Sequence, residues 1–345
     1  MAINKIKVSN FKSFDQLEVD LRPLNVVVGA NAAGKSNFLE IFRFLRDAST
    51  LGLENAVSLQ GGMEYLQNLK IDGSRPVDFE VVAHVEGFKH MEVNWKLAVV
   101  ASSDPPGFTC LADSVTSRGF SGGNVTERGL ERLNLNVAMQ PAIFDLDPKL
   151  AKRAAPITGK AVLEPDGSNL AIVLRNLLQD EERRKQLNLL VRDLLPFVAD
   201  VRVDRFADKS LLIAAKESFS PESYLPASFL SDGTIHLTAL ILALYFDKAP
   251  VVIIEEPERN IHPHLISRVA GLLADASKKK QVIVTTHNPE LVKHVRLEDL
   301  LLVHRDAQGF SHVSRPVENE QLKVFLENDL GVDELYVQDL LGVGG

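Results

Sequence analysis

The sequence predicts an α/β fold with a mixed sheet core, an antiparallel β-subdomain and a helical insertion. Three observations carry that expectation. The apolar run Leu24 to Val28 leads through the loop GANAAGKS into a segment of helical periodicity. VVIIEE (251–256) and QVIVTTH (281–287) are short apolar runs that end in polar residues. Between these blocks, VDFEVVAHVEG and HMEVNWKLAVV alternate apolar with polar residues. Continuous apolar runs suit strands buried on both faces, whereas alternation suits antiparallel strands with one wet face.

Taken in order, IKVSNF and QLEVDL read as two short strands around the turn Lys12-Ser13-Phe14-Asp15. LNVVV follows as a buried strand. In the helix after the glycine loop, Phe38, Ile41, Phe42 and Leu45 repeat at the spacing of one buried face. From about Leu51 to Phe144 strands dominate, RLNLNVAM (132–139) among them, separated by the turn-rich pieces ASSDPPG and SRGFSGGN. After PDGS, Ser168 is the expected N-cap of a helix with the stripe Leu170, Val173, Leu174, Leu177 and Leu178, and Pro196 closes the region. The cluster EERRK within it reads as a solvated face or a helix–helix turn. Beyond Phe206 the α/β rhythm returns. Ile235 to Phe246 is expected as a buried helix, PVVIIEE as a strand, Pro263 to Ala276 as an amphipathic helix, and QVIVTTH as another strand. LLLVHRD and FSHVSRP then suit a closing hairpin.

Composition excludes more than it names. The chain has 345 residues, about 2.3 times a 150-residue domain, so one large or two closely joined domains are expected. Hydrophobic residues make up 45% and charged residues 24%, a globular balance with ample material for a core. A single cysteine, Cys110, excludes an internal disulfide framework and a zinc site built on several thiolates, and suits a reducing cytoplasm. The N-terminus shows no signal-peptide pattern. The most apolar stretch, Ile235 to Phe246, falls short of the roughly 20 residues that a membrane helix needs. With 46 acidic against 38 basic residues, the net charge of −8 argues against coating nucleic acid non-specifically.

The motifs point to a function. Gly29-Ala30-Asn31-Ala32-Ala33-Gly34-Lys35-Ser36 matches G-x-x-x-x-G-K-[ST], with a strand before it and a helix after it. Glycines let the backbone wrap a phosphate, and the exposed N–H groups and positive helix end attract the anion. Asn31, Ala32, Ala33, Gly34, Lys35, Ser36 and Asn37 are therefore the expected ATP contacts, with Lys35 reaching the β- and γ-phosphates and Ser36 ligating Mg²⁺. Glu255 and Glu256 end an apolar strand 219 positions beyond Ser36. Ligands of parallel α/β sheets sit beyond the carboxyl ends of strands, where this loop also lies. Glu255 then suits the magnesium shell and Glu256 the base that polarises an attacking water. A plain polar strand end is the other reading of the pair. His287, at the end of the next buried strand, suits a hydrogen bond to a γ-phosphate, or else a structural role. The nucleotide-binding core thus reads as discontinuous, 1–50 and 207–345, with 51–206 inserted as an antiparallel and helical subdomain.

The ordered set GANAAGKS, FLSDGT, VVIIEEPE and VIVTTHNPE resembles the ATP-binding-cassette superfamily of P-loop NTPases. It is most similar to the branch that holds RecF, OLD and the structural-maintenance-of-chromosomes proteins. The opening KIKVSNFKSFDQLEVDL is similar to the N-terminal strands of that branch, so the resemblance covers about 1–45 and 225–305. It implies an ABC-type head that dimerises head-to-tail around two ATP molecules. Ser231, Asp232 and Gly233 would then contact the γ-phosphate held by the partner copy's Lys35, aided by a helix beginning near Thr234. Without the family, Ser-Asp-Gly-Thr is a good turn and N-cap. The resemblance also implies a metal-sensing glutamine, for which Gln140 is the candidate, and an interface segment at Pro257 to His262. The chain departs from the wider superfamily in Glu255 for Asp, in SDGT for SGG, and in Arg259-Asn260 for Asn-Gly.

The helical region from Ser168 to Pro196 is too short for a long coiled-coil arm. The 57 residues after Asn288 are too few for the second, nuclease domain of OLD proteins, so a stand-alone head is expected. The leading expectation is an ATPase that couples hydrolysis to a conformational change, in DNA repair or defence against phage. The alternative is an ATP-sensing scaffold that gates an effector, such as a nuclease or toxin, encoded elsewhere. A small-molecule kinase would need neither SDGT nor the late histidine strand, and a transporter would need a membrane partner. DNA contact is open: Lys278-Lys279-Lys280 is the clearest basic run, and a solvated turn explains it. Metal binding by His262 and His264 is open too, with Pro263 as a helix start the simpler reading.

Overall fold

The computed structural model describes residues 2–85, 91–103, 106–118, 140–206, 209–220 and 222–318. The segment RLNLNVAM lies outside the described residues. Packing divides the chain into two compact units that interleave along the sequence. The first holds 1–141, 249–253 and 277–345, and the second holds 142–248 and 254–276. The strands expected between 51 and 118 therefore group with the N-terminal segment, and the helices between 170 and 194 with the second unit.

The chain opens with β1 (Ala2–Phe11), β2 (Phe14–Asp20) and β3 (Leu24–Val28), the last buried at all five positions. After the glycine loop come α1 (Lys35–Leu51), α2 (Leu53–Leu59) and α3 (Met63–Leu66). β4 (Val77–Val85), β5 (Met91–Ser103) and β6 (Pro106–Arg118) then extend the first hairpin into an antiparallel sheet of order β2-β1-β4-β5-β6. In the second unit follow β7 (Ala142–Phe144), α4 (Pro148–Ala151), β8 (Ala155–Pro156), α5 (Leu170–Leu178) and α6 (Glu181–Leu194). β9 (Val198–Phe206), β10 (Ser210–Glu217) and β11 (Tyr224–Pro226) lead to α7 (Asp232–Ile241), which runs on into a wider π-helical turn at Leu242–Phe246. β12 (Val251–Glu255) passes from the first unit into the second, and α8 (Pro263–Ala276) stays in the second. β13 (Gln281–Thr286), α9 (Pro289–Lys293), β14 (Leu300–Arg305) and β15 (Ser311–Ser314) complete the first.

In the first unit β3 lies between β13 and β14, parallel to both, with Val28 in register with Thr286 and Leu302. β15 runs antiparallel to β14, which is the expected hairpin, and makes the sheet mixed. The expected face of α1 is fully buried at Phe38, Ile41, Phe42 and Leu45. Phe44 extends that face: its ring stacks on Phe79 of β4 at 5.0 Å, and Phe11 of β1 meets Phe79 edge-on at 5.4 Å. An aromatic cluster of this kind adds directional packing to the area it buries. It ties the helix behind the glycine loop to the antiparallel sheet.

In the second unit the expected stripe of α5 is buried at Leu170, Leu174 and Leu177, with Val173 and Leu178 only half-buried. Its N-cap is Asn169 rather than Ser168. The Asn169 side chain accepts from the Glu164 N–H at 2.8 Å and donates to the Val162 carbonyl at 2.8 Å, so the amide fixes the loop that precedes the helix. EERRK forms the exposed first turns of α6, whose N-cap is Asp180. α7 begins at Asp232, two residues before the expected Thr234, because the Ser231 hydroxyl accepts from the Thr234 N–H at 3.1 Å and caps the helix there.

Candidate functional site

The glycine loop is built by contacts that leave no room for side chains at two positions. A Cβ on Gly29 would lie 2.3 Å from the Val303 carbonyl oxygen of β14. Gly34 has φ +116°, and a Cβ there would lie 2.4 Å from the Ser311 hydroxyl. Ala32 also takes a left-handed conformation, with φ +64°. Gly34 has no side chain with which to cap α1, so the first-turn N–H groups and the positive end of a 17-residue helix face the loop. The Lys35 ammonium donates to the carbonyls of Gly29 at 2.7 Å and Ala30 at 2.9 Å, which draws it inside the loop. Backbone donors, a helix end and an enclosed cation are what a polyphosphate needs, and this cradle fits one.

Behind the loop lies a polar cluster without a counterpart in the motif. Ser311 is fully buried, and its hydroxyl lies 2.7 Å from the Ala33 carbonyl and 2.8 Å from the Ser13 hydroxyl. A hydroxyl carries one proton, so Ser311 can donate to only one of these oxygens at a time. Asn37 donates to the Ser13 hydroxyl at 2.8 Å, and the Ser311 N–H donates to the Ser13 carbonyl at 2.8 Å. The Asn37 amide is thus engaged inside the protein. The cluster pins the loop to the β1–β2 turn and to β15. Ser13 and Ser311 are 298 positions apart, and no local spacing links them.

The ends of the neighbouring strands carry the other expected residues. His287 follows Thr286, the register partner of Val28, so it stands at the same sheet edge as Gly29 and is exposed. The Asn288 side chain accepts from the Glu290 N–H at 2.9 Å and caps α9, which fixes the chain after His287. β12 neighbours β13 and carries Glu255 at its C-terminal end. Ser36 is exposed at the start of α1, and Gln140 is exposed shortly before β7. Oxygen donors such as Ser36 and Glu255 suit a hard cation like Mg²⁺, which keeps several waters and needs few protein ligands. No group of three or more His, Cys, Asp or Glu is poised for a metal among the described residues.

In the second unit, Glu256 to Ile261 forms a tight turn. Glu256 has φ +46° and Asn260 φ +61°, both unusual for residues with side chains. The Arg259 N–H donates to the Glu256 carbonyl at 2.9 Å, and Arg259 Nε donates to Glu256 Oε2 at 3.2 Å. The other end of the guanidinium donates to Asp145 Oδ1 at 2.7 Å. The turn also packs against the start of α7: a Cβ on Gly233 would lie 2.9 Å from the Asn260 carbonyl oxygen. His236 of α7 bonds the Pro257 carbonyl through Nε2 at 3.1 Å. A carbonyl only accepts, so Nε2 carries the proton. Burial above all pushes this imidazole down to about 4, and it is neutral near pH 7. Asp232 forms an ion pair with Lys152. Ser231, Asp232 and Gly233 thus lie together with the turn after Glu256. Lys152, His236 and the Arg259–Asp145 pair escaped the sequence reading, because none falls in a spaced motif. Pro263 opens α8, and His262 and His264 face each other across it, with Nδ1 atoms 2.6 Å apart. Lys278 and Lys279 are exposed in the turn before β13.

Two protein families match the chain. Residues 1–89 match the family described as an AAA ATPase domain. Residues 155–293 match an AAA domain described as a putative AbiEii toxin of type IV toxin–antitoxin systems. The endonuclease GajA of Bacillus cereus (strain VD045) is 21% identical, over 88% of this chain and 58% of that protein. The DNA replication and repair protein RecF of Lactococcus lactis subsp. lactis is 41% identical over 46 residues, 13% of each chain. Among solved structures, an Smc head bound to the C-terminal winged-helix domain of ScpA superimposes with a TM-score of 0.60 at 18% identity, covering 91% of this chain and 97% of that one. A Pyrococcus furiosus Smc head with an extended coiled coil gives 0.59 at 17%, covering 95% and 99%.

The chain carries the ABC-type ATPase domain of the RecF, OLD and SMC branch. This ATPase domain has the mixed α/β fold expected of it, and its glycine loop carries the P-loop motif. The chain spans less than two thirds of the length of the curated relatives it matches. No helix of the ATPase domain is long and apolar enough to cross a membrane, among the described residues.

Proposed function

We propose that the protein binds and hydrolyses ATP and that two copies close head-to-tail around two nucleotides, coupling hydrolysis to a change of conformation. The observation that carries this reading is the phosphate cradle, in which Gly34 and Lys35 place backbone donors, a helix end and a cation around one concavity. In this reading Asn31, Ala32, Ala33, Gly34, Lys35, Ser36 and Asn37 hold the triphosphate. Ser231, Asp232 and Gly233 of one copy meet the γ-phosphate bound by the other. Glu256 takes a proton from the attacking water, and His287 donates a hydrogen bond to the γ-phosphate. Ser36 and Glu255, with Gln140, would hold Mg²⁺, whose charge offsets that of the phosphates. Asn37 would have to release Ser13 to take part. We place the nucleotide-binding core in 1–50 and 207–345 and the protein in the cytoplasm. A role in DNA repair suits the description of RecF, defence against phage is the other role proposed, and any DNA contact needs a local basic groove on a chain of net charge −8.

A second reading is favoured by the descriptions of a toxin family and an endonuclease among the matches. In it the protein senses ATP, turns it over negligibly, and gates a separate effector. Phosphate release separates the two. The first reading expects turnover by the wild type that Lys35→Ala abolishes and Glu256→Gln lowers by roughly a hundredfold or more. Phosphate release that is equal in wild type and Lys35→Ala would rule it out.

A further inference from the structure

The Glu256 carboxylate is held by a guanidinium that a second carboxylate holds in turn. We propose that Arg259 is a positioning residue for Glu256, and that Asp145 anchors it. This inference rests on the reading of Glu256 as the general base. Three observations converge on Arg259. Its side chain bonds Glu256 Oε2 through Nε and Asp145 Oδ1 through Nη1, at 3.2 and 2.7 Å. Its backbone N–H closes the turn on the Glu256 carbonyl at 2.9 Å. Glu256 itself sits at φ +46°, a conformation that L-residues with long side chains hold only when their surroundings over-determine it.

The geometry gives each partner a task. The planar guanidinium presents donors in a fixed fork, so a carboxylate on one side and a carboxylate on the other fix its plane. With that plane fixed, Arg259 directs the Glu256 carboxylate through Oε2. A base misplaced by an ångström loses much of its effect, although the groups that bind substrate are untouched. Arg259 makes neither of the phosphate-loop contacts described above, so its loss is expected in kcat and not in KM.

The test is single-turnover cleavage of labelled ATP with protein in excess, together with melting curves and binding of a fluorescent ATP analogue. Arg259→Ala is expected to lower the cleavage rate roughly tenfold, with affinity for the analogue within about twofold. Arg259→Lys, which supplies one point of charge without the fork, should recover part of that loss. Asp145→Asn should cost roughly threefold, as a half-exposed pair would, and should add nothing to Arg259→Ala. Arg259→Ala should likewise add nothing in a Glu256→Gln background. An Arg259→Ala protein that cleaves at the wild-type rate while Glu256→Gln does not would overturn the inference alone. So would equal losses in rate and affinity, or a loss that persists in the Glu256→Gln background. A Glu256→Gln protein that cleaves normally, or a wild type that does not cleave at all, would overturn the general-base reading and Arg259's role with it.

Discussion

Gly34 meets two demands that no other residue satisfies together. Its φ of +116° lies where side chains are strained, and the space a Cβ would take is held by the Ser311 hydroxyl at 2.4 Å. Gly34→Ala should therefore weaken ATP binding by at least about tenfold, since the loop has to shift by more than a few tenths of an ångström to admit a methyl group. Adding Ser311→Gly removes the closest clash and keeps the strain and the tight approach to the Ser13 hydroxyl, so the double variant should recover only part of the affinity. Titration of a fluorescent ATP analogue reads both. Unchanged affinity in Gly34→Ala would mean that the loop does not hold phosphate in this conformation. The motif made Gly34, Lys35 and Ser36 legible because their chemistry is local. Ser13 and Ser311 were illegible, since the fold alone brings together two hydroxyls 298 positions apart.

At the scale of elements, α7 and the turn after Glu256 behave as one piece through His236. Its Nε2–H bonds the Pro257 carbonyl, and burial holds the ring near a pKa of about 4, below the usual 6.5. The unfolded chain takes up a proton as pH falls through the usual value, and the folded chain does so only near pH 4. Stability from the buried neutral ring is thus full above about pH 6.5 and is lost as pH falls towards 4. Between pH 7 and 5 the wild type should lose about 2 kcal/mol more than His236→Gln, in which an amide can keep the bond to Pro257. Urea melts at both pH values measure it, and parallel losses in the two proteins would contradict it.

The elements themselves were unequally legible. LNVVV and Pro263 to Ala276 match their observed bounds, and QVIVTTH overruns its strand by one residue, because each carries one uniform burial pattern and sharp flanks. α2 and α3 passed unread, since seven and four residues give little periodicity. Ser168 and Asn169 are adjacent residues of capping type, and the helix starts after Asn169, whose amide holds the preceding loop through Glu164 and Val162.

For the whole molecule, what matters is how the parts are distributed along the chain. The phosphate loop and His287 belong to one compact unit, and Ser231 to Gly233 with Glu256 and Arg259 belong to the other. Beyond the phosphate-loop motif, the proposed site draws on segments far apart in sequence, which is why the rest of it does not read from any single stretch. The head-to-tail reading gives this division a purpose, because closing two copies brings one kind of half onto the other. The most direct test is the solution mass of Glu256→Gln and Lys35→Ala, each with ATP, with ADP and without nucleotide, by light scattering at matched concentration. The account predicts twice the single-chain mass for Glu256→Gln in ATP alone, and a single-chain mass for Lys35→Ala in every condition. A Glu256→Gln protein that remains a single chain in saturating ATP, or a Lys35→Ala protein that doubles with it, would contradict the account.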